Sequence, residues 1–476
     1  MLNKILLLLF IIYLTSPIFS QENDSIIIQK NDSLKLYNIS KIVIKGNKKT
    51  KNYIIEREIV FHEKDSTSID NLKLDINKSI ENLENTSLFN SVNIFYDTVN
   101  KNNINILIDV QERWYLWPFP VFSFAERDIN TWLKTKDYSR LNYGFYLQQD
   151  NFRGRMERLR LLFQNGYDKS VGICYEIPYV SKNLKSGLSF LFQYINNHEI
   201  GYEINNNELI YYKDINNYVR QEYLSQVKYI YRNKIHNTNS LILTYNNFSI
   251  KDTISDYLNK NYFLNKLNKA QEIKIEYLFK SDHRNYKSYP LNGYYFDINI
   301  SNTFFNFFTN NSQNYFSISS LYRKYFELNK RFYYATSLKV KLTEDKKPPF
   351  ILNNSLGYDA DIIRGYEYYV INGQQFLLYK HNIKFAIIPK KDKNIKFISL
   401  NKFNNLHYSL YLNIFNDIAY VSEKYYKSNN SLTNKFLYSY GLGLDFSTYY
   451  DKVIRIEYSI NGLNEKGFFI HFIAPI

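Results

Sequence analysis

Cysteine is almost missing from this chain: Cys174 is the only one in 476 residues. That excludes an intrachain disulfide framework and any cysteine-based zinc site. The other scarcities are of pattern. After residue 20 no apolar run approaches the roughly 18 residues of a membrane-spanning helix. The seven histidines contain no pair at metal-ligand spacing, and there is neither a Gly-x-Ser-x-Gly elbow nor a glycine-rich phosphate loop ending in lysine. Asp359 and Asp361 are neighbouring carboxylates with no catalytic partner in view, and read as a solvated turn or a loose cation contact. No catalytic residue, metal site or cofactor is expected, and the chain is not expected to be an enzyme.

Aromatic residues, in contrast, make up 18% of the chain, with 47 tyrosines, and the formal net charge is +15. The lysines are scattered among Asn and Ile rather than gathered in a patch, so no nucleic-acid partner is expected; attraction to anionic lipid head groups is the simpler consequence. Residues 1–20 carry Lys4, an apolar run over 5–14, Thr15-Ser16-Pro17 and a small exit residue, Ser20. They read as a secretory signal peptide, and no cysteine follows the apolar run to take a lipid anchor. Residues 21–35 are expected to be a flexible segment.

Residues 36–113 have the pattern of a small α+β module. Ile42 to Ile44 read as a strand, Gly46-Asn47 as a turn, and Thr50 as the cap of a helix containing Tyr53, Ile54 and Ile59. Ser68 or Asp70 caps a second helix, with Leu72, Ile76, Ile80 and Leu83 on one face. Two alternating strands follow, around Val92-Ile94-Tyr96 and Ile104-Ile106-Ile108-Val110, giving the order β-α-α-β-β. Residues 114–137 open on Trp114, Trp117, Pro118 and Pro120 and read as a stiff linker, either at a membrane interface or as a buried hinge.

From 138 to 476 the chain repeats strand, turn, strand. Phe436, Tyr438, Tyr440, Leu442, Leu444 and Phe446 alternate with Ser439, Gly441, Gly443, Asp445 and Ser447; Ile454, Ile456, Tyr458 and Ile460 alternate with Arg455, Glu457 and Ser459. A soluble sandwich alternates in the same way, but the signal peptide, the aromatic load and the length select a transmembrane β-barrel. About sixteen antiparallel strands are expected, eleven before a long polar connection over 343–374 and five after it, with 199–274 dividing least cleanly.

Several motifs carry a resemblance. Ile42-Val43-Ile44-Lys45-Gly46-Asn47 and Leu88-Phe89-Asn90-Ser91-Val92, in the order above, resemble a POTRA (polypeptide-transport-associated) domain. Asp282-x-Arg284 with Pro290-x-Asn292-Gly293, Ile363-Arg364-Gly365-Tyr366, Phe415-Asn416-Asp417-Ile418-Ala419 and Gly441-Leu442-Gly443-Leu444 resemble, in that order, landmarks of the BamA/TamA-like outer-membrane assembly factors. Ala419 stands where the family has glycine. The resemblance implies that the loop carrying Arg364, Gly365 and Tyr366 folds into the lumen, its arginine pairing with acidic wall residues; Asp417 and Asp445 have lumen-facing parity. It also implies a lateral seam between residues 140–149 and 467–473, where Gly467, Ile470 and Phe472 fit a terminal recognition signal, and Pro475 cannot donate to the ladder.

The implied function is that of an outer-membrane insertase or translocase, with the POTRA-like module in the periplasm capturing clients by strand addition and the seam inserting them. Its implied partners are unfolded client polypeptides, outer-membrane lipid and lipopolysaccharide, and accessory periplasmic lipoproteins. Lys339, Lys341, Lys380 and Lys384, at lumen positions, point to anionic clients or lipopolysaccharide. The alternatives are a dedicated secretion transporter of two-partner type and a passive porin or structural barrel.

Overall fold

A computed structural model describes residues 35–100, 102–125, 129–358, 360–394, 405–426, 430–448 and 452–472. The signal peptide, nearly all of the expected flexible segment, Asp359 and residues 473–476, including Pro475, lie outside the described residues.

The first unit contains β1 (Tyr37–Lys45), α1 (Asn52–Glu56), β2 (Ser66–Thr67), α2 (Ile69–Glu84), β3 (Phe89–Asn100) and β4 (Asn103–Glu112). Its sheet order is β2-β1-β4-β3, with β1 parallel to β4 and the other pairs antiparallel. Alternating Ile104, Ile106 and Ile108 on β4 meet Leu72, Ile76 and Leu83 of α2 in one buried core. Ser68 is the cap of α2, its side chain accepting the Asn71 N–H at 3.3 Å. The element order therefore differs from expectation by the two-residue strand β2. Thr50 does not cap α1, which begins after Lys51; its hydroxyl donates to Glu112 at 2.6 Å and accepts from Asn151 at 2.8 Å, tying the unit to the barrel.

The barrel strands are β5 (Leu116–Phe124), β6 (Leu141–Phe152), β7 (Glu157–Gly166), β8 (Lys169–Ile177) and β9 (Ser186–Asn197), with α3 (Ile129–Thr135) between β5 and β6. A separate hairpin, β10 (Glu199–Asn205) and β11 (Glu208–Lys213), follows. The sheet resumes with β12 (Arg220–Tyr231), β13 (Asn237–Ile250), β14 (Lys269–Asp282), β15 (Gly293–Phe305), β16 (Gln313–Glu327) and β17 (Phe332–Thr343). After the long connection come β18 (Gln375–Asn394), β19 (Asn405–Ser422), β20 (Phe436–Thr448), β21 (Lys452–Asn461) and β22 (Lys466–His471). They form one sixteen-stranded antiparallel sheet in chain order, with β9 pairing directly to β12. Among the described residues no helix is long and apolar enough to cross a membrane.

Side-chain parity follows the alternation. Phe436, Tyr438, Tyr440, Leu442, Leu444 and Phe446 are exposed on the outer face, whereas Ser439, Asp445, Arg455, Glu457 and Ser459 are buried inside. Eleven strands precede the connection and five follow, but the first of the eleven lies inside the stretch expected as a linker. Pro118 and Pro120 belong to β5, where they are tolerated because β5 is an edge strand. The seam is correspondingly displaced: its walls are β5 and β22, and residues 140–149 mostly belong to the second barrel strand, β6. No hydrogen-bonded register joins β5 to β22 among the described residues.

Candidate functional site: a loop locked in the lumen

The lumen wall on the C-terminal side is a lattice set by register. Asp417 on β19 lies between Lys380 of β18 and Ser439 of β20. Two residues away along the strands, the next row runs Asn382, Phe415, Gly441 and Ser459, and the following one Lys384, Asn413, Gly443 and Glu457. Because alternate residues face alternate sides, all of these look inward.

Arg364 enters this lattice from the long connection. Its backbone N–H donates to Asp417 Oδ2 at 3.0 Å, its Nε donates to the same oxygen at 2.9 Å, and Nη2 closes the fork on Oδ1. Nη2 also reaches Asn382 Oδ1 at 2.8 Å, and Nη1 reaches Glu457 Oε1 at 3.3 Å. Arg364 is 4% exposed and Asp417 0%, so this is a bidentate ion pair held away from bulk water, where charge-assisted bonds are strongest. The guanidinium also lies 3.9 Å from the centroid of the Phe415 ring. Phe415 lies over Gly441, where a Cβ would come within 2.6 Å of Phe415 Cζ. The glycine thus makes room for the ring on which the arginine rests.

Gly365 takes φ +85°, the left-handed region in which L side chains are disfavoured, and its carbonyl accepts from Asn461 Nδ2 at 2.8 Å. Tyr366, 2% exposed, accepts the Gly462 N–H on its hydroxyl at 3.0 Å. Ile363 and Tyr366 pack with Leu356, Ile371, Leu378 and Ala419 in a buried cluster, so the methyl of Ala419 is accommodated as part of an apolar seat.

Asp445 is not a partner of Arg364. It lies six residues along β20 from Ser439, the register partner of Asp417, which is roughly 20 Å at about 3.3 Å per residue. Asp445 instead pairs with Arg455 at 2.6 Å and accepts from the Tyr289 hydroxyl at 2.8 Å. The second carboxylate on Arg364 is Glu457, which sequence reasoning passed over although its lumen-facing parity was legible.

The same loop reaches the last strand. His471 Nε2 lies 3.4 Å from both Glu367 Oε1 and Glu457 Oε2, the Tyr369 hydroxyl donates to Glu465 at 2.6 Å, and the rings of Tyr368 and Phe469 are 5.4 Å apart. Of the terminal-signal residues, Gly467 pairs with Ser459, Ile470 pairs with Ile456, and Phe472 is exposed just beyond β22. The four lumen lysines are engaged locally: Lys339 with Asp361 at 2.6 Å, Lys341 with Asn354 O at 2.9 Å, Lys380 3.8 Å from Asp417, and Lys384 4.4 Å from the Tyr289 ring centroid. No group of three or more metal-ligating side chains occurs among the described residues.

The POTRA-like unit is docked under the opposite end of the barrel. Glu58 receives Arg232 at 2.5 and 2.7 Å and the Tyr179 hydroxyl at 3.0 Å. Burial alone would raise the Glu58 carboxyl, but the Arg232 guanidinium outweighs it and holds it below its ordinary value. Burial, with the Glu58 charge beside it, pushes the Tyr179 hydroxyl up to about 12. Lys51 N–H to Gly154 O, Lys287 N–H to Asn85 Oδ1, both 2.9 Å, and His407 Nε2 against Asn90 O at 3.1 Å extend the junction.

Residues 37–113 match the family model of the POTRA domain, described as a surface antigen variable number repeat. Among solved structures, BamA from Haemophilus ducreyi lacking POTRA domains 1–3 superposes with a TM-score of 0.51 at 17% identity, over 91% of this chain and 83% of that one. CdiB from Acinetobacter baumannii gives a TM-score of 0.48 at 14% identity over 91% and 74% of the two chains, and CdiB from Escherichia coli 0.49 at 8% over 95% and 92%. No curated protein matches the chain. The chain thus carries a POTRA domain over residues 37–113, followed by a sixteen-stranded β-barrel sheet with the fold seen in BamA.

Proposed function

We propose that this protein resides in a bacterial outer membrane, with its POTRA domain in the periplasm, and inserts or translocates polypeptides without performing chemistry. The observation that carries this reading is the seam: the first and last strands of the barrel sheet, β5 and β22, share no register among the described residues, so the sheet is not closed there by strand pairing. The loop lock supports it, because Arg364 keeps the long connection inside the lumen while Glu367, Tyr368 and Tyr369 bear on the seam strand and its hairpin. A lumen so filled does not suit a passive porin. Unfolded client polypeptides are the substrates, captured at β3, the edge strand of the POTRA sheet, and passed to the seam. Lipid and lipopolysaccharide contact the outer face, and accessory lipoproteins would dock on the periplasmic side.

The test is reconstitution. Vesicles of phosphatidylethanolamine and phosphatidylglycerol containing the full chain should fold a urea-denatured eight-stranded outer-membrane barrel faster than protein-free vesicles do. Vesicles carrying Arg364→Ala at equal barrel density should fold it more slowly than the unaltered chain. Acceleration absent with the unaltered chain rejects insertion. Passage of an extended polypeptide into the vesicle lumen, with no barrel folding, would move the assignment to a dedicated secretion transporter.

A further inference from the structure

The two edges of the seam are chemically unequal. In an antiparallel pair, successive residues point their N–H and C=O groups alternately toward and away from the partner. On β5 the odd positions bond β6 in register, as they do just beyond its ends, where Ala125 N–H meets Arg140 O at 3.0 Å and Asp150 N–H meets Tyr115 O at 2.7 Å. The even positions therefore face the seam, and two successive ones are Pro118 and Pro120. Neither has an N–H to give. A strand laid along β5 would leave its own carbonyls unmet at two adjacent places, and in hydrocarbon each such group costs several kcal/mol by general experience.

The β22 edge is complete. Asn461 N–H bonds Glu465 O at 3.1 Å, so the odd positions of β22 face β21, and Lys466, Phe468 and Ile470 turn both backbone groups toward the seam. One of these is already taken. Asn130, 3% exposed on α3, donates Nδ2 to Ile470 O at 3.3 Å and accepts Ile470 N–H on Oδ1 at 2.9 Å. Its side-chain amide occupies the place that a peptide group of an adjoining strand would fill. The helix that carries it is tethered to the far end of β5 by the stacked rings of Trp132 and Phe124, 4.3 Å apart, and to the β10–β11 hairpin by Lys134 and Glu208 at 3.0 Å.

We propose that the seam accepts an incoming transmembrane strand on the β22 edge alone, with Asn130 as the placeholder that strand displaces and Pro118 and Pro120 keeping β5 from acting as a template. The occupant is a client β-strand with apolar residues at alternate positions, because the outer face of this edge already carries Phe468 and Ile470 and an added strand continues that apolar surface. This rests on the insertase reading above and specifies its docking edge.

The test uses the full chain in the same vesicles, with a photo-reactive amino acid replacing either Phe468 or Phe122 and a urea-denatured eight-stranded outer-membrane barrel as probe. Adducts from position 468 should exceed those from 122 about tenfold, the ratio that one or two hydrogen bonds confer. Asn130→Ala should raise the yield at 468, and Pro118→Ala with Pro120→Ala should bring adducts up at 122; heat-modifiable mobility on gels verifies that each variant is a folded barrel. Equal or greater yield at 122 in the unaltered chain overturns the edge assignment and leaves the insertase reading standing. No adduct from either position overturns both, and adducts at 468 made only with a second copy of this chain overturn the client occupant.

Discussion

Arg364 is the residue on which the loop lock turns, and its removal has a calculable signature. Replacing it with alanine deletes the fork on Asp417 together with the bonds to Asn382 and Glu457. Glu457 keeps Arg455 at 3.3 Å, but Asp417, fully buried, is left with Lys380 at 3.8 Å as its remaining cation. Breaking one side of a buried pair costs about 3–5 kcal/mol because the other charge is stranded. Asp417→Ala should cost less, because the buried guanidinium keeps Glu457 at 3.3 Å and Asn382 at 2.8 Å. The double variant strands neither, so its loss should fall short of the sum by about 2–3 kcal/mol. Urea unfolding of the four proteins in detergent micelles, followed by tryptophan fluorescence, gives the cycle; protease cleavage within 344–374 reports whether the loop has left the lumen. Additive losses, or an Arg364→Ala chain whose loop stays protected at unchanged stability, would refute the reasoning.

Three other outcomes follow from the same geometry. Asp445→Asn should destabilise the barrel through Arg455 and Tyr289 yet leave the loop protected from protease, since Asp445 makes no contact with Arg364; loop release in this variant would contradict the assignment. Gly441→Ala would set a Cβ 2.2 Å from the Tyr458 carbonyl oxygen of β21 and 2.6 Å from Phe415 Cζ, so it should strain the β20–β21 pairing and displace Phe415 with the seat of Arg364, costing about 1–3 kcal/mol as overpacking and exposing the loop to cleavage. Glu58 carries a depressed carboxyl, so its contribution to POTRA docking is complete above the ordinary value of 4.5 and is lost as pH falls through the lower folded value. Hydrogen exchange across the junction should therefore rise in acid, and Arg232→Ala should shift that transition upward in pH.

Much of this architecture was legible because the two faces of a barrel wall differ so sharply. Alternation on β19, β20 and β21 separates Asp417, Asp445, Arg455 and Glu457 from the lipid-facing side chains, and all four are buried; the motif order led to the POTRA and BamA-type fold. Parity fixes the side of a residue but not its height, which is why Asp445 was paired with Arg364 although the register separates them. β5 was hidden by Pro118 and Pro120: proline argues against a strand except at an edge, and the sequence does not say in advance which strand is the edge. The β10–β11 hairpin alternates like the wall strands but pairs only with itself, so local pattern could not exclude it from the barrel. Thr50 had the chemistry of a helix cap and was recruited by Glu112, more than sixty residues away, a contact only the tertiary fold creates.

The central claim is that this barrel builds or passes other outer-membrane polypeptides, and its most direct measurement is depletion of the protein followed by quantitative outer-membrane proteomics, with the unaltered chain or Arg364→Ala supplied at matched barrel levels. The account predicts that other barrels fall on depletion and that the unaltered chain restores them while Arg364→Ala does not. Outer-membrane barrels that hold their levels through depletion would contradict it.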